Sequence, residues 1–466
     1  MSGKTEEARI DSRKNMGRLV IVILSCLLQV GWIIGFALYL TDYYAIISVA
    51  LSTLAMLLIF QIFSRDLNSA QKIAWIVLVA LFPILGVCIY LMFGSIGVEK
   101  RVSKKFAVVE KAYETMLPQE EETFLKLERI DKALANQAYY FRNSAGYPVY
   151  QNTDVDFYGD TVKALEAQKN AMRAAKKFIF IEYFAVEDAT VWKGIEEILA
   201  EKAAEGLDVR VMYDDMGSIN GMNADAFEER LKKKKIQCKA FNRLIPIANI
   251  VMNHRDHRKI TVVDGKIGFT GGYNLANEYF NLVQPYGVWK DSGVRLSGDA
   301  VRSLTLTFLK SWNSGQKKPE DPIPFLLKPE YRSAEGGFVI PYADSPMDDE
   351  RVGENAYLNL IKNAKHYLYI TTPYLIISDE MHRELTLAAK RGVDIRIITP
   401  GIPDKKIIFR VTRSYYAGLA SAGVRIYEFT PGFIHSKQMV CDDEAAIVGT
   451  INMDYRSLYL HFEDAC

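Results

Sequence analysis

Two short strings hold the residues best suited to acid–base and nucleophilic chemistry. His257-Arg258-Lys259-Ile260-Thr261-Val262-Val263-Asp264 is followed by Gly271-Gly272-Tyr273-Asn274. His435-Ser436-Lys437-Gln438-Met439-Val440-Cys441-Asp442 is followed by Gly449-Thr450-Ile451-Asn452. Each reads H-x-K-x4-D, then six residues, then a Gly-led turn ending in Asn, and the two histidines are 178 positions apart (435 − 257). Two copies with every spacing kept speak for duplication.

In an extended strand, alternate residues share a face, so His257, Lys259 and Thr261 point one way, as do His435 and Lys437. The apolar runs Ile267-Gly268-Phe269 and Ala446-Ile447-Val448 read as return strands, whose closing turns bring Asn274 and Asn452 back beside the His and Lys. Two halves meeting face to face would surround one cavity with two imidazoles, two ammonium groups and two carboxamides. The lysines and asparagines supply hydrogen-bond donors and a charge of about +2, which suits the non-bridging oxygens of a phosphodiester. One imidazole would attack phosphorus while the other protonates the departing alcohol, and an ordinary pKa of ~6.5 allows either task. No cofactor and no metal is required, because the lysines provide the positive charge. A metal reading of His254-Arg255-Asp256-His257 is weakened because the second copy, Gly432-Phe433-Ile434-His435, lacks the extra His and Asp. His366, His382 and His461 have no matched partner in a second copy and read as structural.

The elements that position these strings repeat too. Ala175-Lys176-Lys177-Phe178-Ile179-Phe180-Ile181 is echoed by Ala364-Lys365-His366-Tyr367-Leu368-Tyr369-Ile370, each a helix end running into a buried strand. Ala204-Glu205-Gly206-Leu207-Asp208-Val209-Arg210-Val211 matches Lys390-Arg391-Gly392-Val393-Asp394-Ile395-Arg396-Ile397, where Gly ends a helix before a strand. Residues 144–328 and 329–466 therefore read as two copies of one α/β unit, joined at the Pro-containing stretch 317–329. Residues 99–143 are polar and helix-like, and read as a connector spacing the duplicated part from whatever precedes it.

What precedes it is apolar. Residues 19–40, 44–63 and 73–93 are uncharged runs of 22, 20 and 21 residues, long enough to cross a hydrocarbon core. Residues 1–98 are thus predicted to be a membrane anchor of two to three segments. A cleavable signal peptide fits poorly, since a second run follows at once. Arg9, Arg13, Lys14 and Arg18 precede the first run, and Lys100, Arg101, Lys104 and Lys105 follow the last. Three crossings would put those clusters on opposite sides, and a re-entrant segment would resolve the conflict. The remainder is placed on the cytoplasmic side of a multi-pass cell-membrane protein. Lys+Arg 57 against Asp+Glu 56 argues against a nucleic-acid partner. Five scattered cysteines without a CxxC pair argue against a disulfide framework. Lys232 to Lys235 read as a solvated helix end. Leu244-Ile245-Pro246-Ile247-Ala248 and the stretch from Phe280 to Trp289 read either as buried loops or as lips that admit acyl chains.

The doubled H-x-K-x4-D…N pattern resembles the phospholipase D superfamily, and its arrangement behind apolar segments resembles the bacterial cardiolipin synthases within it. Lys72-Ile73-Ala74-Trp75, Ile181-Glu182-Tyr183-Phe184, Trp289-Lys290-Asp291 and Asn452-Met453-Asp454-Tyr455-Arg456-Ser457 add to the likeness. The resemblance implies two phospholipase-D-like α/β/α sandwich halves sharing one active site. It implies a nucleophile at His257 and a general acid at His435, with Lys259, Lys437, Asn274 and Asn452 on the phosphoryl oxygens. Glu278 and Glu463 would orient the imidazoles, and Asp264 and Asp442 would brace the motif rather than touch substrate. Where the family has a small hydroxyl after the Gly, this chain has Gly272 in one copy and Thr450 in the other, and the family pattern runs on further past Glu463. The implied reaction joins two phosphatidylglycerols into cardiolipin and glycerol through a phosphatidyl-histidine. The alternatives are hydrolysis to phosphatidic acid, or phosphatidylethanolamine as donor. Phospholipids are the expected partners, and a homo-oligomer is compatible with the sequence.

Overall fold

A computed structural model describes residues 20–21, 23–35, 42–65, 68–94, 96–243, 254–326, 328, 330–334 and 336–466. Leu244 to Ala248 and the basic cluster Arg9 to Arg18 lie outside the described residues. Contacts divide the described chain near Lys104 into two compact units.

The first unit is helical. Among the described residues one helix, Asp42–Phe63, is long and apolar enough to cross a membrane, with its apolar window at Ile46–Phe63. Two shorter apolar helices, Ile23–Gly35 and Ser69–Leu81, accompany it. The expected third run, 73–93, is not one continuous helix. It breaks after Leu81, where the proline at position 83 can neither donate a backbone hydrogen bond nor clear the preceding turn, and it resumes at Leu85. Gly86 packs so tightly onto the earlier helix that a Cβ there would fall 2.3 Å from the Leu78 carbonyl oxygen. Trp75 meets Tyr90 edge-on at 5.4 Å, and Arg65 donates to the Tyr90 hydroxyl at 3.2 Å.

Among the described residues the second unit holds two seven-stranded sheets and two two-stranded ones. The first half contributes β1 (Thr153–Tyr158), β2 (Phe178–Tyr183), β3 (Asp208–Asp214), β4 (Gln237–Phe241), β5 (Lys259–Val263), β6 (Ile267–Gly271), β7 (Val288–Lys290) and β8 (Gly293–Gly298). The second contributes β9 (Tyr342–Asp344), β10 (Tyr367–Thr371), β11 (Leu375–Ile376), β12 (Asp394–Pro400), β13 (Arg425–Phe429), β14 (Gly432–Ile434), β15 (Lys437–Cys441), β16 (Ala445–Gly449), β17 (Met453–Asp454) and β18 (Glu463–Ala465). The strand orders are β1-β8-β6-β5-β2-β3-β4 and β9-β18-β16-β15-β10-β12-β13. The two orders match strand for strand, so the repeat seen in the sequence is a repeat of topology.

The halves differ in layering. In the first, β2 and β5 are buried along their whole length, as both faces demand. Helices Thr161–Arg173 and Thr190–Ala204 cover one face. Helix Val301–Trp312 covers the other, stacking Phe308 on Phe180 at 4.6 Å and packing Leu304 near Ile260 and Leu296. In the second half, β12 and β15 alternate buried with half-buried residues, so the helices Val352–Asn363 and Asp379–Lys390 pack on one face. The expected three-layer sandwich therefore describes the first half, and two layers describe the second among the described residues. The stretch expected as a spacer is helical but packs into these cores. Val109, Tyr113 and Leu117 join the cluster around Phe178, and Phe141 packs on Tyr342 at 4.6 Å.

Each motif aspartate ties two strands together. Asp264, at φ 55°, accepts from the backbone N–H groups of Lys176, Lys177 and Phe178 at 2.8, 2.7 and 3.0 Å. Asp442, at φ 54°, does the same for Lys365, His366 and Tyr367 at 2.7, 2.9 and 2.7 Å. A short acceptor side chain tolerates the left-handed backbone and satisfies three donors at the mouth of a strand. Asp264→Ala is accordingly expected to destabilise this unit by about 2 kcal/mol or more, and Asp264→Asn by distinctly less, as read by urea unfolding.

Candidate active site

The histidines sit just ahead of β5 and β15, where each strand leaves its own half and meets the other. The His257 N–H donates to the Phe462 carbonyl at 2.8 Å, and the His435 N–H donates to the Lys290 carbonyl at 2.7 Å. The next residue along supplies the carboxylate in each case. His257 Nδ1 lies 2.8 Å from Glu463 Oε2, and His435 Nδ1 lies 2.7 Å from Asp291 Oδ2. Each imidazole is thus held, by backbone and by ring, to the half it does not belong to. All four side chains are buried.

This corrects one expectation. The acid on His435 is Asp291, not Glu278. Glu278 sits half-buried in the 3-10 turn Asn277–Phe280, where burial raises its carboxyl above the ordinary value. Position 278 lies on a turn whose inward side chains are Tyr279 and Phe280, whereas Asp291 follows directly on the strand that pairs β14. The string Trp289-Lys290-Asp291 was visible in the sequence, but spacing alone did not say that its Asp faces the far histidine.

Lys259 and Lys437 are almost fully buried, and each donates to the carbonyl of the histidine two residues before it. Lys437 Nζ also lies 2.9 Å from His435 Nε2. The asparagines are tethered alike: Asn274 Nδ2 donates to the Tyr279 hydroxyl at 2.7 Å, and Asn452 Nδ2 to the Ser457 hydroxyl at 3.0 Å. A carboxamide nitrogen carries two hydrogens, so each Asn keeps one for another acceptor.

Burial decides the charge states. It pushes the Lys437 ammonium down to about 7 and that of Lys259 down to about 8, with Asp291 and Glu463 opposing. Burial, with Lys437 beside it, lowers His435 to about 4. His257 is likewise driven well below its ordinary value by burial, against the pull of Glu463. Burial would raise the two acids, but His257 and His461 facing Glu463, and His435 and Lys437 facing Asp291, hold both below the usual carboxylate range. Both rings therefore rest neutral, protonated on the Nδ1 that faces a carboxylate, which leaves Nε2 unprotonated in each, with Lys437 against that of His435. An anion arriving between the lysines would favour their charged forms.

The two copies are not chemically equal. At Gly272 a Cβ would fall 2.0 Å from Asp291 Oδ1, so the hydroxyl residue missing there has no room. At the matching position, the Thr450 hydroxyl donates to Glu463 Oε2. Glu463 has a second imidazole as well: His461 Nδ1 lies 3.5 Å from Oε1, and its ring centre is 5.4 Å from that of His257. His461 is buried at the site rather than structural at a distance, and nothing in one unpaired His signalled that. Among the described residues, His257, His461 and Glu463 offer ligand atoms within 4.8 Å of one another, a spacing a cation could use. The metal set read from sequence is dispersed instead. Asp256 accepts from Arg258 at 2.8 Å, and His254 Nδ1 lies 3.1 Å from the Leu460 carbonyl.

Known proteins resemble this chain throughout. The family model described as cardiolipin synthase, PLD-like domain matches residues 169–308 and 357–466. A second, described as phospholipase D-nuclease N-terminal, matches residues 50–95. An uncharacterised protein of Streptococcus mutans is 42% identical over 405 residues, which is 86% of this chain and 87% of that one. A cardiolipin synthase of Halalkalibacterium halodurans is 34% identical over 447 residues, 93% of this chain and 84% of that one. Among solved structures, phosphatidylserine synthase of Haemophilus influenzae matches with a TM-score of 0.54 at 15% identity, over 72% of this chain and 86% of that one, a likeness of fold.

Two measurements test the site's geometry and charge. Gly272→Ala displaces Asp291 from His435 and is expected to lower turnover at least ~100-fold and to lower the melting temperature by several degrees, as a buried carboxylate and imidazole lose each other. For stability, the sign follows from His435 being neutral when folded. Between about 4 and the ordinary 6.5, the unfolded chain binds a proton that the folded chain does not, so stability falls as pH drops through that window. The loss from this residue amounts to about 3 kcal/mol. The difference in unfolding free energy between pH 7.5 and pH 5 should therefore be smaller for His435→Gln than for the parent.

Proposed function

Starting from a chain that belongs to the cardiolipin synthase family of phospholipase D-like enzymes and is a phosphatidyltransferase of that superfamily, we propose that it transfers a phosphatidyl group between two phosphatidylglycerols. The observation that carries this reading is the pair of neutral imidazoles, each bound through Nδ1 to a carboxylate of the other half and each beside a buried lysine. One phosphodiester fits such a set, with Lys259, Lys437 and the spare N–H of Asn274 and Asn452 on its oxygens.

His257 Nε2 attacks phosphorus, forming a P–N bond as the P–O bond to glycerol breaks. The leaving oxygen takes its proton from His435 Nε2, which takes that proton up from solvent as the phosphodiester binds and offsets the two lysines, and returns it to solvent when product leaves. The primary hydroxyl of a second phosphatidylglycerol then attacks the same phosphorus. It yields its proton to His435, and His257 departs. Cardiolipin and glycerol result, and the enzyme returns to its starting protonation state. Glu463 stabilises the positive imidazole of the intermediate and keeps its attacking nitrogen aimed. The apolar helix at Ile46–Phe63 is consistent with membrane association, which keeps a lipid alcohol close at hand in competition with water. We place the catalytic part on the cytoplasmic side of a multi-pass anchor.

With labelled phosphatidylglycerol in mixed micelles, cardiolipin and glycerol should form in equal amounts. Accumulation of phosphatidic acid instead would make the enzyme a hydrolase and end the proposal. His257→Ala should reduce turnover by several orders of magnitude, and a quenched reaction of the parent should carry phosphorus on His257 by mass spectrometry.

A further inference from the structure

We propose that the loop 281–288 and the helix Lys406–Ser414 form a lip that seats the catalytic unit on an anionic lipid bilayer beside His435. The proposal rests on the phospholipid reading above and adds a second membrane contact to the apolar helices.

The loop carries no charged residue from Asn281 to Val288, yet it exposes three large apolar side chains: Leu282 (55%), Val283 (49%) and Val288. It runs straight into Trp289, which is buried 4.8 Å from the Phe433 ring and 5.3 Å from His435. Whatever covers the loop therefore lies one residue away from the ring wall of the active site.

The helix shows the same face in another form. Thr412 points inward, accepting from the Leu375 N–H at 3.2 Å. Ile407, at 76% exposure, and Val411, one turn on, form an outward apolar ridge. Lys406 and Arg410 form the neighbouring ridge and are both exposed. The acids nearby are already engaged: Asp404 accepts from the Tyr374 hydroxyl at 2.6 Å and faces Lys405 at 3.5 Å, while Glu428 is held by Arg413 at 2.7 Å. The outward charge of this segment is therefore positive. Ile402 joins the two parts, since a Cβ on Gly287 would fall 3.0 Å from its Cδ1.

Water gives no reason to expose an apolar ridge beside a basic one, but a bilayer interface uses both: acyl chains take the apolar ridge and anionic headgroups the basic one. Phosphatidylglycerol matches this face in charge and supplies the phosphodiester that the adjoining site is built to hold. A second copy of the chain or another protein is the competing occupant.

The test uses the full chain in nanodiscs of phosphatidylcholine with or without about one-third phosphatidylglycerol. In an Ile407→Trp variant, the added emission over the parent should shift to the blue and be quenched by brominated acyl chains, more so in anionic discs at low salt. Ile407→Glu/Val411→Glu should raise KM for phosphatidylglycerol in bilayers at least ~10-fold, with kcat and turnover of a short-chain, monomeric phosphatidylglycerol unchanged. Lys406→Glu/Arg410→Glu should weaken the response to anionic discs about 5-fold per residue. An indole that stays unquenched, or whose blue shift follows chain concentration rather than lipid, overturns the lip. So do equal losses on bilayer and monomeric substrate. Quenching needs no turnover, so a quenched indole in a chain that makes no cardiolipin would leave the lip standing and sink the reaction instead.

Discussion

The structure depends on a reciprocal clamp. Each catalytic-type imidazole is anchored to the opposite half twice, once by its backbone N–H and once by its ring. Burying imidazole, ammonium and carboxylate together carries a large desolvation penalty, which is offset only when every group finds a partner in good geometry. Neither half supplies such a set alone. Glu463 without His257, or Asp291 without His435, would be a buried carboxylate that has lost its ring partner from the other half. The clamp therefore couples assembly of the two halves to assembly of the site, and the depressed lysines show what that burial costs.

The pseudo-symmetry of the backbone is broken by the side chains that touch the carboxylates. Asp291 is short and sits where any Cβ on residue 272 would strike it, while Glu463 is longer and receives the Thr450 hydroxyl. His461 adds a second ring to the Glu463 side. Two imidazoles in one duplicated frame can then take different tasks, because their acids are held by different neighbours. The same logic explains the missing hydroxyl at Gly272. The position is filled by a carboxylate from across the interface, so its loss is a consequence of packing.

The two units differ in what they expose and what they bury. The first unit offers an apolar helix whose length suits a bilayer. The cores of the second unit draw in Val109, Tyr113 and Phe141, so the segment before β1 is part of the catalytic body. The rim by His435 is apolar and uncharged in the loop, and apolar and basic in the helix.

Much of this was legible in the residues. The doubled motif, its period and the echoed helix–strand joints predicted two copies of one α/β unit, because a repeat in hydrophobic pattern and turn chemistry must repeat the local structure it encodes. Strand alternation put His, Lys and Thr on one face for the same reason, and the positions of Asp264 and Asp442 after a strand fitted a bracing role. What tertiary structure alone decided was which acid meets which ring. Glu278 and Asp291 are both acids downstream of Asn274, and no local rule separates them, since the distinction lies in a strand pairing between residues 288–290 and 432–434 that are far apart in sequence. His461 carried no periodic signal either, because its partner is a carboxylate whose orientation is set by the other half. Sequence determines what each half can offer; the interface between the halves, formed by long-range pairing, determines which offers are taken up.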